Sequence, residues 1–172
     1  TAEQLEVVHE ASLELLRDGG IEVMSERVRN AFEREGATVN RDRDIVLVDP
    51  AMILELVARA PSTFTLTPRN VDHALTLGGN QSYFGMVSGP PNVHDRIDGR
   101  RVGNFADYQK LLSLGQHFNV IGLFGNQTVA TTDLPVTTRH LDCYLANLSL
   151  TDKVFSAIPI GAGRVNDAAE ML

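Results

Sequence analysis

The fold is decided by residues 104–124, which read NFADYQKLLSLGQHFNVIGLF. Asn104 is a favourable helix cap, and the helix that it begins is predicted to stop at Gly115. The apolar side chains of that helix recur at helical spacing, at Phe105, Tyr108, Leu111 and Leu112. Residues 120–124 then form a continuous apolar run, which is typical of a strand in a parallel sheet that is covered on both faces.

The same alternation of helix and strand continues to the end of the chain. The next helix is predicted to carry its apolar face at Leu141, Tyr144, Leu145 and Leu148. A second apolar strand is predicted over residues 154–158 and ends at Pro159, and a last helix starts near Arg164. Helices and strands that alternate at this spacing indicate parallel βαβ units.

These units predict the N-terminal portion of a (β/α)₈ barrel of the TIM type, within the α/β class. A complete barrel takes about 250 residues, and two strands alone would leave a sheet with open apolar edges. We therefore expect the natural polypeptide to continue well past Leu172.

Two segments precede the parallel units. Residues 1–62 predict a mostly helical extension, in which Thr1 and Gln4 have capping-box spacing and Asp49-Pro50 begins a later helix. Residues 63–103 are rich in strands and turns, and Asp98-Gly99 predicts a two-residue hairpin turn. The chain is thus predicted to consist of an extension (1–62), a β-rich hairpin segment (63–103) and the first βα units of an incomplete barrel (104–172).

The composition excludes several classes of protein. Hydrophobic residues make up 43% and charged residues 22% of the 172 residues, which is typical of soluble globular proteins. No apolar run approaches the ~18 residues that a membrane helix needs, and the net charge of −7 disfavours nucleic-acid binding. A single cysteine, Cys143, excludes an internal disulfide framework and suits a reducing compartment, so we expect a cytoplasmic protein.

Functional groups of parallel βα units lie on the loops that follow the carboxyl ends of the strands. The first such loop starts at Gly125, where Asn126 and Gln127 either orient a polar ligand or hydrogen-bond neighbouring loops. Tyr83 and Phe84 precede a loop rich in Gly and Pro, and the composition there fits a small-molecule pocket and a structural turn equally well. The sequence alone leaves both pairs of alternatives open.

No Gly-x-Ser-x-Gly elbow, Walker A loop or His-Glu-x-x-His motif occurs in the sequence. His140 and Cys143 stand three apart on a predicted helix, but a zinc site needs three or four ligands, so we predict a buried Cys143 and a surface His140. The glycines of Gly161-Ala162-Gly163 lack the third glycine of a dinucleotide-binding fingerprint. No catalytic residue is therefore assigned, and no metal site is predicted.

Residues 83–85 read Tyr-Phe-Gly and are followed by a Gly-rich loop and by Pro-Asn-Val with an acidic residue at 91–95. In these features the chain resembles the trimethylamine methyltransferase family. Further matches lie at residues 14–16, 20–23, 25–26, 35–37, 60–62, 64–66, 69–70 and 105–108. Their order and spacing along all 172 residues carry the resemblance more than any single motif does.

The resemblance implies a (β/α)₈ barrel with a helical and β extension, and methyl transfer from a methylated amine to the cobalt(I) of a separate corrinoid protein. The cobalamin cofactor would then be carried by that partner protein and not by this chain. The trimethylamine branch of the family uses a pyrrolysine far downstream, whereas relatives without it include glycine betaine methyltransferases. We also expect the protein to be a homo-oligomer.

The favoured substrate is a quaternary ammonium compound such as a betaine, with trimethylamine as the other candidate. A fixed cation is held well by aromatic faces, and a betaine also needs polar contacts for its carboxylate. The candidate substrate contacts are Tyr83, Phe84, Asn92, Phe124, Asn126 and Gln127. We expect Tyr83 or Phe84 to lie at the pocket mouth, beside the loop that starts at Gly125.

Two other functions stay open at this point. The protein could be a barrel that binds betaine-like ligands without turnover, or this piece could serve as a structural or interaction subdomain.

Overall fold

The computed structural model describes residues 1–158 and 160–172 and divides the chain into two units, Thr1–Pro61 and Ser62–Leu172. Helices and strands occur in both units, so the protein belongs to the α/β class, as predicted. The three-part division that the sequence suggests stays a prediction. The predicted end of a strand at Pro159 lies outside the described residues.

The first unit combines three α-helices and a π-helical turn (Leu15–Gly19) with a three-stranded antiparallel sheet. The helices are α1 (Ala2–Glu14), α2 (Glu26–Arg34) and α3 (Pro50–Ala58). The strands are β1 (Ile21–Glu22), β2 (Thr38–Asn40) and β3 (Ile45–Leu47), in the sheet order β1-β3-β2. The apolar run at residues 45–48 predicts β3 from the sequence, whereas β1 and β2 have two and three residues that mix apolar and polar side chains and form no such run.

Of the helix caps that the sequence predicts in this unit, those at Thr1 and Asp49 are confirmed, whereas Ser25 precedes α2 without a capping hydrogen bond from its side chain. The Thr1 side chain accepts a hydrogen bond from the Gln4 backbone at 3.3 Å, and the Gln4 side chain completes the capping box. Asp49 accepts from the Ala51 backbone at 2.8 Å, and Pro50 occupies the first position of α3. The core of the unit consists of the buried side chains of Ala37, Val46 and Val48, with Phe32, Met52 and Ile53 packed against them.

Among its described residues, the second unit contains seven strands and three α-helices. The strands are β4 (Thr63–Leu66), β5 (Leu75–Gly78), β6 (Phe84–Met86), β7 (Asn92–Asp95), β8 (Gly99–Val102), β9 (Ile121–Phe124) and β10 (Val154–Phe155). The helices are α4 (Phe105–His117), α5 (Arg139–Leu150) and α6 (Ala162–Met171), and a 3₁₀ turn spans Val71–His73. The pairs β4-β5 and β7-β8 are antiparallel hairpins.

A parallel sheet in the order β10-β9-β6 forms the centre of this unit. It has three strands where the sequence predicted two. Met86 of β6 pairs with Phe124 of β9, and Val154 of β10 pairs with Leu123. The sequence missed β6 as a parallel strand because its three residues include Gly85 and form no continuous apolar run.

The β7-β8 hairpin is confirmed, but its turn has three residues, 96–98, and not two. The Asp95 side chain accepts hydrogen bonds from the backbones of Ile97 at 2.9 Å and Asp98 at 2.7 Å, so the turn begins directly after Asp95 and not at Asp98. Gly99 then supplies a φ of 67°, the left-handed conformation that closes a hairpin of this length.

Helix α4 begins as predicted and ends later than predicted. The Asn104 side chain accepts from the Asp107 backbone at 2.9 Å, and Asp107 returns the contact in a capping box. Gly115 is buried within the helix, where an added Cβ would lie 2.5 Å from Cε1 of the fully buried Phe124. The absence of a side chain at Gly115 therefore permits close contact between α4 and β9, and Gly115 does not end the helix.

Helix α5 buries a different face from the predicted one. Its buried side chains are His140, Cys143, Tyr144, Ala146 and Asn147. Leu141 and Leu145 are 37% and 60% exposed, so the predicted apolar face is wrong at both positions. The predicted surface position of His140 is also wrong, because its Nε2 lies 2.7 Å from Asp167 Oδ2 on α6. A polar partner offsets the cost of burying an imidazole, and apolar periodicity does not report such a pair.

Replacing Gly115 by Ala tests the close contact between α4 and β9. The added methyl group would press on a ring that cannot move into solvent, so we expect Gly115→Ala to lower the free energy of unfolding by about 1–2 kcal/mol, measured by urea denaturation. Gly163→Ala on α6 is the control, because a Cβ there meets nothing within 4 Å. It should be neutral or stabilise by up to about 1 kcal/mol. Equal effects of the two changes would contradict this account.

Candidate functional site

The loops that follow β6 and β9 meet at the carboxyl ends of the parallel strands. The Gly89 backbone donates to the Gln127 carbonyl at 2.6 Å, and the Ala130 backbone donates to the Pro90 carbonyl at 2.9 Å. We call residues 87–91 and 125–131 together the loop clamp. Main-chain hydrogen bonds of this kind fix the two loops without depending on side-chain identity.

Gly125 allows the closest approach within the loop clamp. A Cβ on Gly125 would lie 2.6 Å from the Cβ of Ser88, so a larger residue would push the loops apart. This approach lets the Ser88 hydroxyl donate a hydrogen bond to Asn126 Oδ1. The hydrogen bonds found among the described residues leave Asn126 Nδ2 without an acceptor. An amide donor is therefore available at the carboxyl ends of the strands.

The side chain of Gln127 points to α5 and not to its neighbour Asn126. Its Nε2 lies 3.2 Å from Cys143 Sγ, and Thr131 Oγ1 lies 3.8 Å from the same sulfur. Cys143 is fully buried, and burial raises the pKa of its thiol. The predicted burial of Cys143 is thus found, and Gln127 anchors the loop clamp to α5.

Two other predicted contacts, Phe124 and Asn92, lie on strands and not in the loop clamp. Phe124 is fully buried beneath α4, within a core that also contains Tyr108 and Leu112. Asn92 is half-buried on β7, where it pairs with Val102.

Tyr83 and Phe84 lie at the opposite end of the sheet from the loop clamp. Phe84 pairs with Ile121, the first residue of β9, and its side chain is 67% exposed. The two rings line a cleft of about 430 Å³ together with His73 and Lys153. The expected position beside the loop that starts at Gly125 is therefore wrong. Because β6 runs parallel to β9, a residue that starts one strand lies level with the start of the other.

A polar network that was not predicted from the sequence occupies the amino end of the parallel sheet. Asp152 accepts hydrogen bonds from Gln116 Nε2 at 2.7 Å and from Asn70 Nδ2 at 3.0 Å, and its Oδ1 lies 2.9 Å from His73 Nδ1. The hydrogen bond from Asn70, followed by those from Gln116 and His73, lowers the pKa of Asp152 to about 2. The only signal in the sequence is an Asp-Lys pair directly before an apolar strand.

Two cations that are next to members of this network in the sequence bind the C-terminal ends of helices. The buried Lys153 donates from Nζ to the carbonyls of Gly115 at 3.0 Å and Phe118 at 2.8 Å, at the end of α4. Arg69 donates to the Leu148 carbonyl at 2.6 Å and to the Thr151 carbonyl at 3.2 Å, at the end of α5. Positive charge stabilises helix C-termini, so this end of the sheet has a structural role.

Residues 1–158 and 160–172 contain neither a metal-binding cluster nor a membrane-spanning helix. No three His, Cys, Asp or Glu side chains come together there in a way that would hold a metal ion. None of the helices in that part of the chain combines the length and the apolarity that crossing a bilayer requires.

Comparisons with known proteins identify similar sequences along the whole chain. A family model described as trimethylamine methyltransferase matches residues 1–172. The glycine betaine methyltransferase of Desulfitobacterium hafniense strain Y51 is 28% identical over 171 residues, which are 99% of this chain and 35% of that protein. The proline betaine:corrinoid methyltransferase of Eubacterium limosum is 29% identical over 146 residues, 85% of this chain and 29% of that protein.

A trimethylamine methyltransferase of Methanosarcina barkeri is 31% identical over 70 residues, 41% of this chain and 14% of that protein. The chain thus spans about a third of the length of the two betaine methyltransferases that it matches.

The lowered pKa of Asp152 predicts a contribution to stability that depends on pH. A carboxyl group whose pKa is lowered on folding stabilises the protein above its unfolded value of ~4, and that stabilisation is lost as the pH falls towards about 2. We expect Asp152→Asn to flatten the loss of stability between these pH values, as measured by urea denaturation at several pH values. Asp142→Asn, on an exposed position of α5, is the control and should follow the wild type. A wild-type slope in Asp152→Asn would refute the assignment.

The burial of Cys143 predicts a thiol that is protected in the native state. Because burial raises its pKa and excludes reagents, we expect a disulfide reagent such as Ellman's reagent to react with Cys143 only after the protein unfolds. The measurement compares the rate of thiol release in buffer and in denaturant. Rapid reaction of the native protein would show that the contact between α5 and the loop clamp opens easily.

Proposed function

The chain belongs to the trimethylamine methyltransferase family, and from that premise we propose that the full-length protein moves a methyl group from a methylated amine to the cobalt(I) of a corrinoid protein. The observation that carries this proposal is the family match over residues 1–172. The relatives named for glycine betaine and for proline betaine and corrinoid support both the methyl donor and the acceptor.

The proposed architecture of the whole protein is a (β/α)₈ barrel whose first three strands are β6, β9 and β10. The sheet order supports it, because consecutive parallel strands lie side by side and always extend the sheet in the same direction. A barrel requires this order, whereas a doubly wound sheet reverses direction at a switch point. The carboxyl ends, where the loop clamp lies, are then the proposed side for substrate.

The proposed substrate is a quaternary ammonium compound, and a betaine is preferred to trimethylamine. The two relatives named for betaines match 99% and 85% of this chain, whereas the trimethylamine methyltransferase of M. barkeri matches 41%. The chemistry favours the same choice. A quaternary nitrogen leaves as a neutral amine, whereas trimethylamine would have to leave as an amide anion unless its nitrogen first became cationic.

The reaction balances without a proton or an added oxidant. The electron pair of cobalt(I), which the partner's corrinoid supplies as methyl acceptor, forms the new bond to carbon. The carbon–nitrogen bond breaks, and its electron pair stays on the nitrogen of the departing tertiary amine. The enzyme is left to bind the donor, orient its methyl group and exclude water.

Of the predicted contacts, Asn126 is the one that the loop clamp presents at the proposed substrate side. Gln127 supports that loop from α5, and Tyr83 and Phe84 line a cleft at the other end of the sheet, so none of these three is proposed as a wall of the substrate pocket. We further propose a cytoplasmic location, which the single free and buried thiol of Cys143 supports. The homo-oligomer stays a prediction.

The proposed function is tested by methyl transfer from candidate donors. Full-length enzyme would be mixed with a cobalt(I) corrinoid protein and with trimethylamine, glycine betaine, proline betaine or carnitine. We expect the absorbance of methylated cobalt(III) to appear with at least one betaine and not with trimethylamine. Turnover of trimethylamine alone would overturn the substrate choice, and no turnover of any donor would favour a binding protein.

A further inference from the structure

We propose that Asn126 selects the substrate by donating hydrogen bonds from Nδ2 to a carboxylate, and that Ser88 is the positioning residue that fixes the Asn126 amide. This inference rests on the proposed function and names the chemical group by which a zwitterionic donor is distinguished from a simple methylated amine.

The orientation of the Asn126 amide follows from its contact with Ser88. The Ser88 hydroxyl donates its single hydrogen to Asn126 Oδ1. The amide group is planar, so fixing the carbonyl oxygen on Ser88 directs Nδ2 away from Ser88 with two N–H groups available. An amide that could rotate freely would offer an acceptor as readily as a donor, and it would not discriminate between ligands.

The backbone on both sides of this pair is held in place. The Gly125 backbone donates to the Met86 carbonyl at 3.2 Å, and the Gly89 backbone donates to the Gln127 carbonyl at 2.6 Å. These bonds enclose Ser88 on one strand end and Asn126 on the other. The donor therefore lies on two loops that are already fixed. Ligand binding then does not have to order these loops, so less binding free energy is lost to conformational entropy.

The N–H donor at this position, and not the charge around it, favours a carboxylate over a cation. The segments VSGPP (87–91) and GNQTVAT (125–131) contain no Asp, Glu, Lys or Arg. A neutral donor without an adjacent acid does not attract a free ammonium ion, whereas it can satisfy a carboxylate oxygen. A quaternary nitrogen has no N–H to donate to the Asn126 oxygen, which already accepts a hydrogen bond from Ser88.

The proposal predicts a crossed effect on two ligands that share the same methylated nitrogen. Glycine betaine carries a carboxylate and tetramethylammonium does not. In Asn126→Asp an oxygen replaces Nδ2 at almost unchanged shape and adds a negative charge. We expect the Kd of the full-length enzyme for glycine betaine to rise by on the order of 10- to 100-fold, while the Kd for tetramethylammonium stays the same or falls.

The role of Ser88 is tested by a pair of variants that differ in the hydroxyl. Ser88→Ala removes the donor that fixes the amide, and we expect a rise in the Kd for glycine betaine of about 3- to 10-fold from the freed rotation. Ser88→Thr keeps a hydroxyl and should restore most of the affinity. Asn119→Asp is the matched control for the negative charge that Asn126→Asp adds, because Asn119 is exposed at the amino end of β9.

The binding measurement is isothermal titration calorimetry, with circular dichroism to confirm that each variant is folded. Equal weakening of both ligands in Asn126→Asp, or no weakening of either, overturns the proposal. Absence of glycine betaine binding to the wild type overturns it as well, and the methyl-transfer assay with the remaining donors then judges the proposed function separately. If Asn126→Asp does not fold, loss of affinity in Ser88→Ala without recovery in Ser88→Thr overturns the proposal.

Discussion

The second unit depends on the close packing of α4 on β9. Gly115 makes this packing possible, because the ring of Phe124 occupies the space that a side chain at position 115 would need. Met86 reaches the same place from β6, where a Cβ on Gly115 would lie 3.3 Å from its Cγ. The helix, the central strand and the edge strand are thus fixed against one another at one point. Because Met86 and Phe124 are paired there, β6 and β9 end level, and the loops that follow them meet.

The parts of the fold that could be predicted from sequence are those that local chemistry determines. The caps at Asn104 and Asp49 were predictable because a capping side chain acts on a backbone only two or three residues away. The strand β9 was predictable from its apolar run. The parallel role of β6 and the buried face of α5 were not, since Gly85 and His140 are explained only by Leu123 and Asp167, which lie far along the chain.

The candidate site divides in the same way. A position directly after a parallel strand was enough to single out Asn126 and Gln127, but not to show that their side chains do different things. That difference depends on Ser88, 38 residues before Asn126, and on Cys143, 16 residues after Gln127. Two adjacent amides looked equivalent in the sequence because their partners belong to different elements of the fold.

The network around Asp152 also sets an order of events while the chain is being synthesised. Asn70 and Asp152 are 82 residues apart, so the hydrogen bond between them cannot form until the start of β10 has left the ribosome. Contacts this distant form after local ones, because a long loop must close first. Lys153 reaches the end of α4 from the same position, so a single stretch of two residues completes both connections. The start of β10 therefore completes the contacts of segments that were translated well before it.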